Sequence, residues 1–121
     1  MKTVAERFVH ALAQHNRADL LGVLAPDVDF RGMTPGRFWE ARTAEDLVDN
    51  VLFHWLDVHD VVHQVLALDR DWMADREHVS YRFSVHTPNG HHLVEQQAYL
   101  MVDDGRIAWL RMMCSGFRKV D

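Results

Sequence analysis

The sequence predicts an α+β fold: a curved antiparallel sheet of four long strands, with short edge strands, wrapped around three N-terminal helices. Three observations carry this. Apolar residues recur mostly at helical spacing as far as Trp55 and alternate at strand spacing beyond it. The stretch from Val79 to Phe117 reads as three strands joined by tight turns at Asn89-Gly90 and Asp104-Gly105. Both dipeptides suit a type I′ hairpin turn, whose two central residues need positive φ. Helices segregated from an antiparallel sheet must bury their apolar stripes against it.

Thr3 and Glu6 have capping-box spacing, in which each side chain bonds the other's backbone N–H. Val4, Phe8, Ala11 and Leu12 then form one stripe of a helix over about Val4 to His15. Asn16 caps a second, short helix, with Asp19 in its first turn and Leu20, Leu21 and Leu24 on its apolar side. Pro26 is expected to stop it, because a residue before proline avoids helical angles. Val28 to Arg31 is a short strand, followed by a loop at Gly32, Pro35 and Gly36 and a short extended piece, Arg37 to Glu40. Thr43 caps the third helix, whose buried stripe is Leu47, Val48, Val51, Leu52 and Trp55. Val58 to Leu68 alternates as a strand, and the polar run Asp69 to Asp75 reads as its turn.

At 121 residues the chain is one domain, 1–121, long enough to bury a core without staples. A net charge of −5 with no basic cluster argues against nucleic acid as a partner. No apolar run approaches the ~20 residues needed to span a bilayer, so no membrane partner is expected. The sole cysteine, Cys114, excludes an internal disulfide and fits a reducing compartment. With no signal-peptide core at the N-terminus, a cytoplasmic location is expected. Nine histidines raise the question of metal. His59 and His63, on one strand, are about 13 Å apart along it. Ligands at ~2 Å from one zinc ion cannot span that, so neither a metal site nor a cofactor is expected.

Phe8-Val9-x-Ala11-Leu12, then Leu20-Leu21-x-x-Leu24-Ala25-Pro26-Asp27-Val28-Asp29-Phe30, then Asp104-Gly105-Arg106-Ile107 resemble the nuclear transport factor 2-like superfamily. Its relatives include ketosteroid isomerase and the SnoaL-like polyketide cyclases. The resemblance covers nearly the whole chain and implies a cystatin-like cone, in which the sheet wraps the helices and leaves an apolar pocket at the open end. It does not imply a reaction, since one fold hosts many functions. Ketosteroid isomerases carry an oxyanion-binding Tyr on their first helix, where this chain has Phe8. Their catalytic Asp follows the first strand, here Arg31-Gly32-Met33. Their second acid, like the cyclases' Asp, lies on the strand that here holds Gln97 and Ala98. Steroid isomerisation by that route is therefore not expected.

With both turns as two-residue loops, Leu100 faces Trp109 and Phe83 faces Gln96. One sheet face then carries Tyr81, Phe83, Val85, Leu100, Ile107 and Trp109. The other carries Arg82, Glu95, Gln97, Tyr99, Leu110 and Met112. Both are apolar, whereas a sheet with one wet face alternates cleanly; a bulge would swap the faces beyond it. The resemblance turns Ala108 toward the cone and so assigns the second face to the pocket. The expected lining is Phe8, Leu12, Phe30, Val51, Trp55, Arg82, Tyr99, Leu110 and Met112. The first face, anchored by Tyr81, Phe83 and Trp109, is expected to form a homodimer.

Glu95 and Gln97 point the same way from one strand and are the candidate catalytic pair. An apolar cone would raise the pKa of Glu95 and suit it to proton transfer. The plainer alternative is a Glu95–Arg82 pair that satisfies itself. Cys114 reads as an inert buried thiol. The chain is thus expected to bind a small apolar molecule, as a cofactor-independent isomerase, cyclase or dehydratase, as a non-catalytic binder, or as a dimeric accessory domain with a filled pocket.

Overall fold

The structure, a computed structural model, describes residues 2–120. Helix α1 (Val4–Ala13) opens with the Thr3–Glu6 capping box, both reciprocal bonds being made. It ends short of His15, which adopts φ 53°. Helix α2 (Arg17–Val23) is capped by Asn16. Helix α3 spans residues 44–55 and is capped by Thr43; its middle, Leu47–Leu52, is π-helical between the short α-turns Ala44–Asp46 and Phe53–Trp55. All five residues of its predicted stripe are buried.

The strands are β1 (Leu24–Thr34), β2 (Arg37–Ala41), β3 (Val61–Met73), β4 (Arg76–Thr87), β5 (Gly90–Asp103), β6 (Arg106–Cys114) and β7 (Arg118–Lys119). They form one sheet in the order β2-β1-β6-β5-β4-β3, with β7 on β5. The four long strands β3 to β6 are mutually antiparallel, as predicted. The first strand departs from expectation. It is long, starts at Leu24 and runs parallel to β6, so the sheet is mixed. Pro26 sits inside it, in the irregular stretch between Leu24 and Asp29 where the β1–β6 register shifts. A residue without an N–H is tolerated there because no regular ladder bond is required of it. Strand β3 also runs on through Trp72 and Met73, and its turn is Ala74-Asp75, with Ala74 at φ 53°.

The two hairpin turns decide the faces. The first loop is Pro88-Asn89, and Thr87 pairs with Gly90. The register is thus displaced by two residues from expectation, with Phe83 opposite Val94, and an even shift leaves each side chain on its predicted face. The second loop is Asp104-Gly105, as predicted. Immediately after it the strands slip: Val102 pairs with Ile107 but Met101 pairs with Trp109, so Ala108 is bulged out. One extra residue inverts every following side chain. Leu110, Met112 and Cys114 therefore join Tyr81, Phe83 and Leu100 under the helices, while Trp109, Arg111 and Met113 face outward.

This bulge resolves the two-apolar-face problem. The covered face is almost wholly apolar, and the open face alternates Arg, acid, Gln, Tyr and Met. The burial also corrects one expectation about the interface. Tyr81 and Phe83 are core residues, 3% and 0% exposed, and cannot anchor an interface. Trp109 does lie on the open face, where Arg76 and Arg111 stack on its ring at 4.5 and 4.4 Å.

Candidate functional site

The expected pocket lining divides into two groups. Phe8, Leu12, Phe30, Val51, Trp55, Leu110 and Met112 do converge between helices and sheet, but all are buried in one cluster. They fill the cone. Phe30 and Trp39 pack against the Trp55 ring, with centroids 6.1 and 6.0 Å away. Gly32 leaves space for this group, since a Cβ there would lie 2.6 Å from Phe30 Cζ and 3.0 Å from Trp55 Cη2. The second group, Arg82, Glu95, Gln97 and Tyr99, stands on the open face with its side chains directed away from the cone.

Glu95 is accordingly not an acid in an apolar cone. Its carboxylate lies 2.5 Å from an Arg118 nitrogen and 3.4 Å from one of Arg82. Its backbone N–H is accepted by Ser115 Oγ, and its carbonyl accepts from the Ser115 N–H. These bonds tie β5 to the segment after β6. Gln97 lies two residues along, opposite Met113 of β6, which in turn lies opposite Met33 of β1.

The result is a groove of about 480 Å³. Met33 and Met113 give it an apolar floor. Glu95 and Gln97 border it on one side, the Thr34-Pro35-Gly36 turn on another, and Cys114-Ser115 closes its end. The turn is held close to that end, with Pro35 carbons 3.5 Å from where a Cβ of Gly116 would stand. Gly116 needs its φ of 72°, which lets the chain reverse after Cys114 and lets β7 pair with β5. Two polar groups over an apolar floor can orient a small ligand without enclosing it.

Beneath the end of the groove lies a buried polar chain. Tyr81 Oη donates to Gln96 Oε1 at 2.6 Å, and Gln96 Nε2 donates to Cys114 Sγ at 3.4 Å. Gln96 is 1% exposed. Burial pushes the Tyr81 phenol well above its ordinary 10.0, and it pushes the Cys114 thiol above 9.0. Both groups are neutral in the fold, and the unfolded chain releases their protons at ordinary values. Their contribution to stability is therefore present below about pH 9 and is lost as pH rises through 9.0 and 10.0. The urea midpoint is expected to fall over that interval, and native Cys114 is expected to resist iodoacetamide at pH 8 while the unfolded chain reacts. A flat midpoint together with rapid native labelling would contradict the assignment.

The sequence reading missed two parts of this surface. The Pro35-Gly36 turn and Ser115 look like ordinary loop residues until β1 and β6 are placed side by side. His78 was not singled out at all. It lies opposite Asp71 and Tyr99 in the ladder, its Nδ1 is 2.6 Å from Asp71 Oδ1, and its ring stacks on Tyr99. Among the described residues no helix is long and apolar enough to cross a membrane.

No family model matches the sequence, and no curated protein matches it. Solved structures do match over nearly the whole chain. An NTF2-like protein from Burkholderia thailandensis E264 has a TM-score of 0.69 at 21% identity, covering 95% of this chain and 92% of that one. A candidate isomerase from Bacillus subtilis has a TM-score of 0.76 at 11% identity, with coverages of 93% and 84%. An LEH-like epoxide hydrolase from M. tuberculosis has a TM-score of 0.65 at 15% identity, with coverages of 93% and 80%. The fold is thus that of nuclear transport factor 2-like proteins, a fold that includes enzymes. Likeness at these identities speaks for the fold alone.

Proposed function

We propose that this protein binds a small, largely apolar molecule in the open-face groove, with Gln97 as its main polar contact and Glu95 at the border. The observation that carries this reading is the joining of Gln97 and Glu95 to the Met33–Met113 floor in a groove of about 480 Å³. Binding is favoured over proton transfer because two guanidinium groups hold the Glu95 carboxylate. The filled cone supports the same choice, since a substrate has no room among Phe8, Phe30 and Trp55. Freshly purified protein in native mass spectrometry is expected to retain a small molecule or to take up 2-naphthol. Ser115→Trp, which would fill the groove's end, should weaken 2-naphthol binding more than tenfold. Glu95→Gln should change it by less than tenfold, about 1.4 kcal/mol. Undiminished binding by Ser115→Trp would move the ligand out of this groove.

A second copy of the chain is the partner we propose for the open face, the groove's Met33–Met113 floor included. Phe38, Met33 and Met113 lie opposite one another across β2, β1 and β6, at 79%, 41% and 55% exposure. Met101 and Trp109 extend the apolar area on the same face. Exposed apolar side chains in such number on one face are uncommon on an isolated domain. Its charges are paired locally, as Arg31–Glu40, Arg82–Glu95 and Arg111–Asp29, so two identical faces meet without net repulsion.

A further inference from the structure

We propose that the groove between α1 and α2 is a second binding site, and that it takes a small organic anion, an apolar monocarboxylate held by its head group at Lys2 and Arg7. The inference goes beyond the open face and does not depend on the reading of the groove there.

Helices α1 and α2 form a hairpin joined only by Gln14-His15-Asn16. From α1, Arg7, His10 and Gln14 recur at helical spacing and line one wall. From α2, Ala18, Gly22 and Val23 line the other. Lys2, just ahead of the Thr3 cap, completes a groove of about 360 Å³. Gln14 stands at the turn, and Arg7 lies two helical turns back, about 10 Å away. The groove therefore has a cationic end at Arg7 and a polar end at Gln14 and Asp19.

The cations at the first end are unspent. Among the described residues neither Lys2 nor Arg7 has a side-chain partner, whereas other arginines are paired, as Arg17 with Asp49 and Arg70 with Glu77. A shortage of acids does not explain this, because the chain carries a net charge of −5. The nearby acids are engaged elsewhere. Glu6 is held by the Thr3 cap, and Asp19 accepts from Asn16 Nδ2 at 2.9 Å.

The groove is also kept open. Glycine is disfavoured against alanine inside a helix, yet Gly22 stands within α2. It has no positive φ, and a Cβ there would meet nothing within 4 Å. Neither backbone geometry nor packing calls for glycine at this position, and what its absent side chain leaves is room. Ala11 and Ala18 keep the rest of the groove equally low.

These features select a ligand. A guanidinium fork matches a carboxylate, and an ammonium adds a point charge. Ala11, Gly22 and Val23 offer a narrow apolar bed behind that contact. Asp19 disfavours a second anionic group at the far end, which points to a monocarboxylate.

Titration of the full chain with 4-phenylbutyrate, 4-phenyl-1-butanol and inorganic phosphate, followed by ¹H–¹⁵N correlation, tests this. The carboxylate is expected to shift the Gly22 amide and the Arg7 Nε–H, and to bind about tenfold more tightly than the alcohol. Arg7→Gln should abolish that preference and leave the alcohol's affinity unchanged. Gly22→Leu should weaken both organic probes, while Gly22→Ala, which fills less of the groove, should raise the thermal midpoint. Ser115→Trp should leave the carboxylate titration as it is. Equal binding of carboxylate and alcohol, or full carboxylate binding by Arg7→Gln, would overturn the proposal. Phosphate binding as tight as that of the carboxylate would do the same, since the groove would then attract ions only. Loss of carboxylate binding in Ser115→Trp would move the probe to the open face and also overturn it. The protein is expected to stay in the supernatant with phosphatidylglycerol vesicles. Co-sedimentation lost in Arg7→Gln would assign Lys2 and Arg7 to a lipid surface and overturn the small-molecule site.

Discussion

Replacing Trp55 with alanine is expected to cost about 3–5 kcal/mol, the usual range for removing a buried aromatic ring. The ring is 6% exposed and packs against Phe30 and Trp39, over the space left by Gly32. Neighbours gripped from several sides collapse poorly into a vacancy, which puts the effect in the upper part of that range. The same change should open the cone. A dry apolar cavity of this kind takes up benzene-sized molecules, so indole added to the variant should recover part of the lost stability and should do nothing for the wild type. Trp55→Phe is a sharper control. Trp55 Nε1 is buried without a hydrogen-bond partner among the described residues. An unmet buried donor costs about 1–3 kcal/mol, and phenylalanine removes it while keeping most of the ring. The Trp55→Phe loss should therefore stay below about 2 kcal/mol. Urea unfolding of the two variants decides the matter. A loss below about 1 kcal/mol for Trp55→Ala would mean that the cone is not packed as described.

The filling of the cone marks where sequence reading stopped being sufficient. Helix stripes were legible because burial of a helix face leaves a period in the sequence, and all of Leu47, Val48, Val51, Leu52 and Trp55 are indeed buried. The Thr3, Asn16 and Thr43 caps were legible for a similar reason, because each requirement is local. Faces of the last strand were not. Ala108 carries no mark of a bulge, yet its displacement alone exchanges Trp109 and Leu110 between core and surface. The parallel β1–β6 pairing is equally silent, since partners more than 70 residues apart leave no joint pattern in one sequence. The groove inherits both uncertainties. Its floor needs β1 beside β6, and it also needs the bulge to turn Met113 outward. Glu95 and Gln97 could be singled out as a pair on one face, but which surroundings that face had depended on Ala108, eleven positions beyond Gln97.

Dissociation of the proposed dimer by Phe38→Asp together with Met101→Asp is the second large effect expected. Phe38 stands on the edge strand β2 at 79% exposure, and Met101 is 37% exposed opposite Trp109 of β6. Neither borders the groove, so ligand binding is a separate readout. Both are exposed in the isolated chain, and surface substitutions of this sort usually alter folding stability by less than about 0.5 kcal/mol. In a face-to-face dimer the consequence differs. Each aspartate enters the apolar centre of the contact, and twofold symmetry doubles the insult to four buried charges. Burying even one unpaired carboxylate costs several kcal/mol, so the double variant should weaken association by far more than a hundredfold. Sedimentation at micromolar concentration is expected to give a species of twice 14.1 kDa for the wild type and 14.1 kDa for the variant, with the same helix signal in the two folded proteins. A wild type that sediments at 14.1 kDa would leave the open face without a second copy. The Phe38–Met33–Met113 row would then be read as the approach to the groove, because those three side chains run directly into its floor.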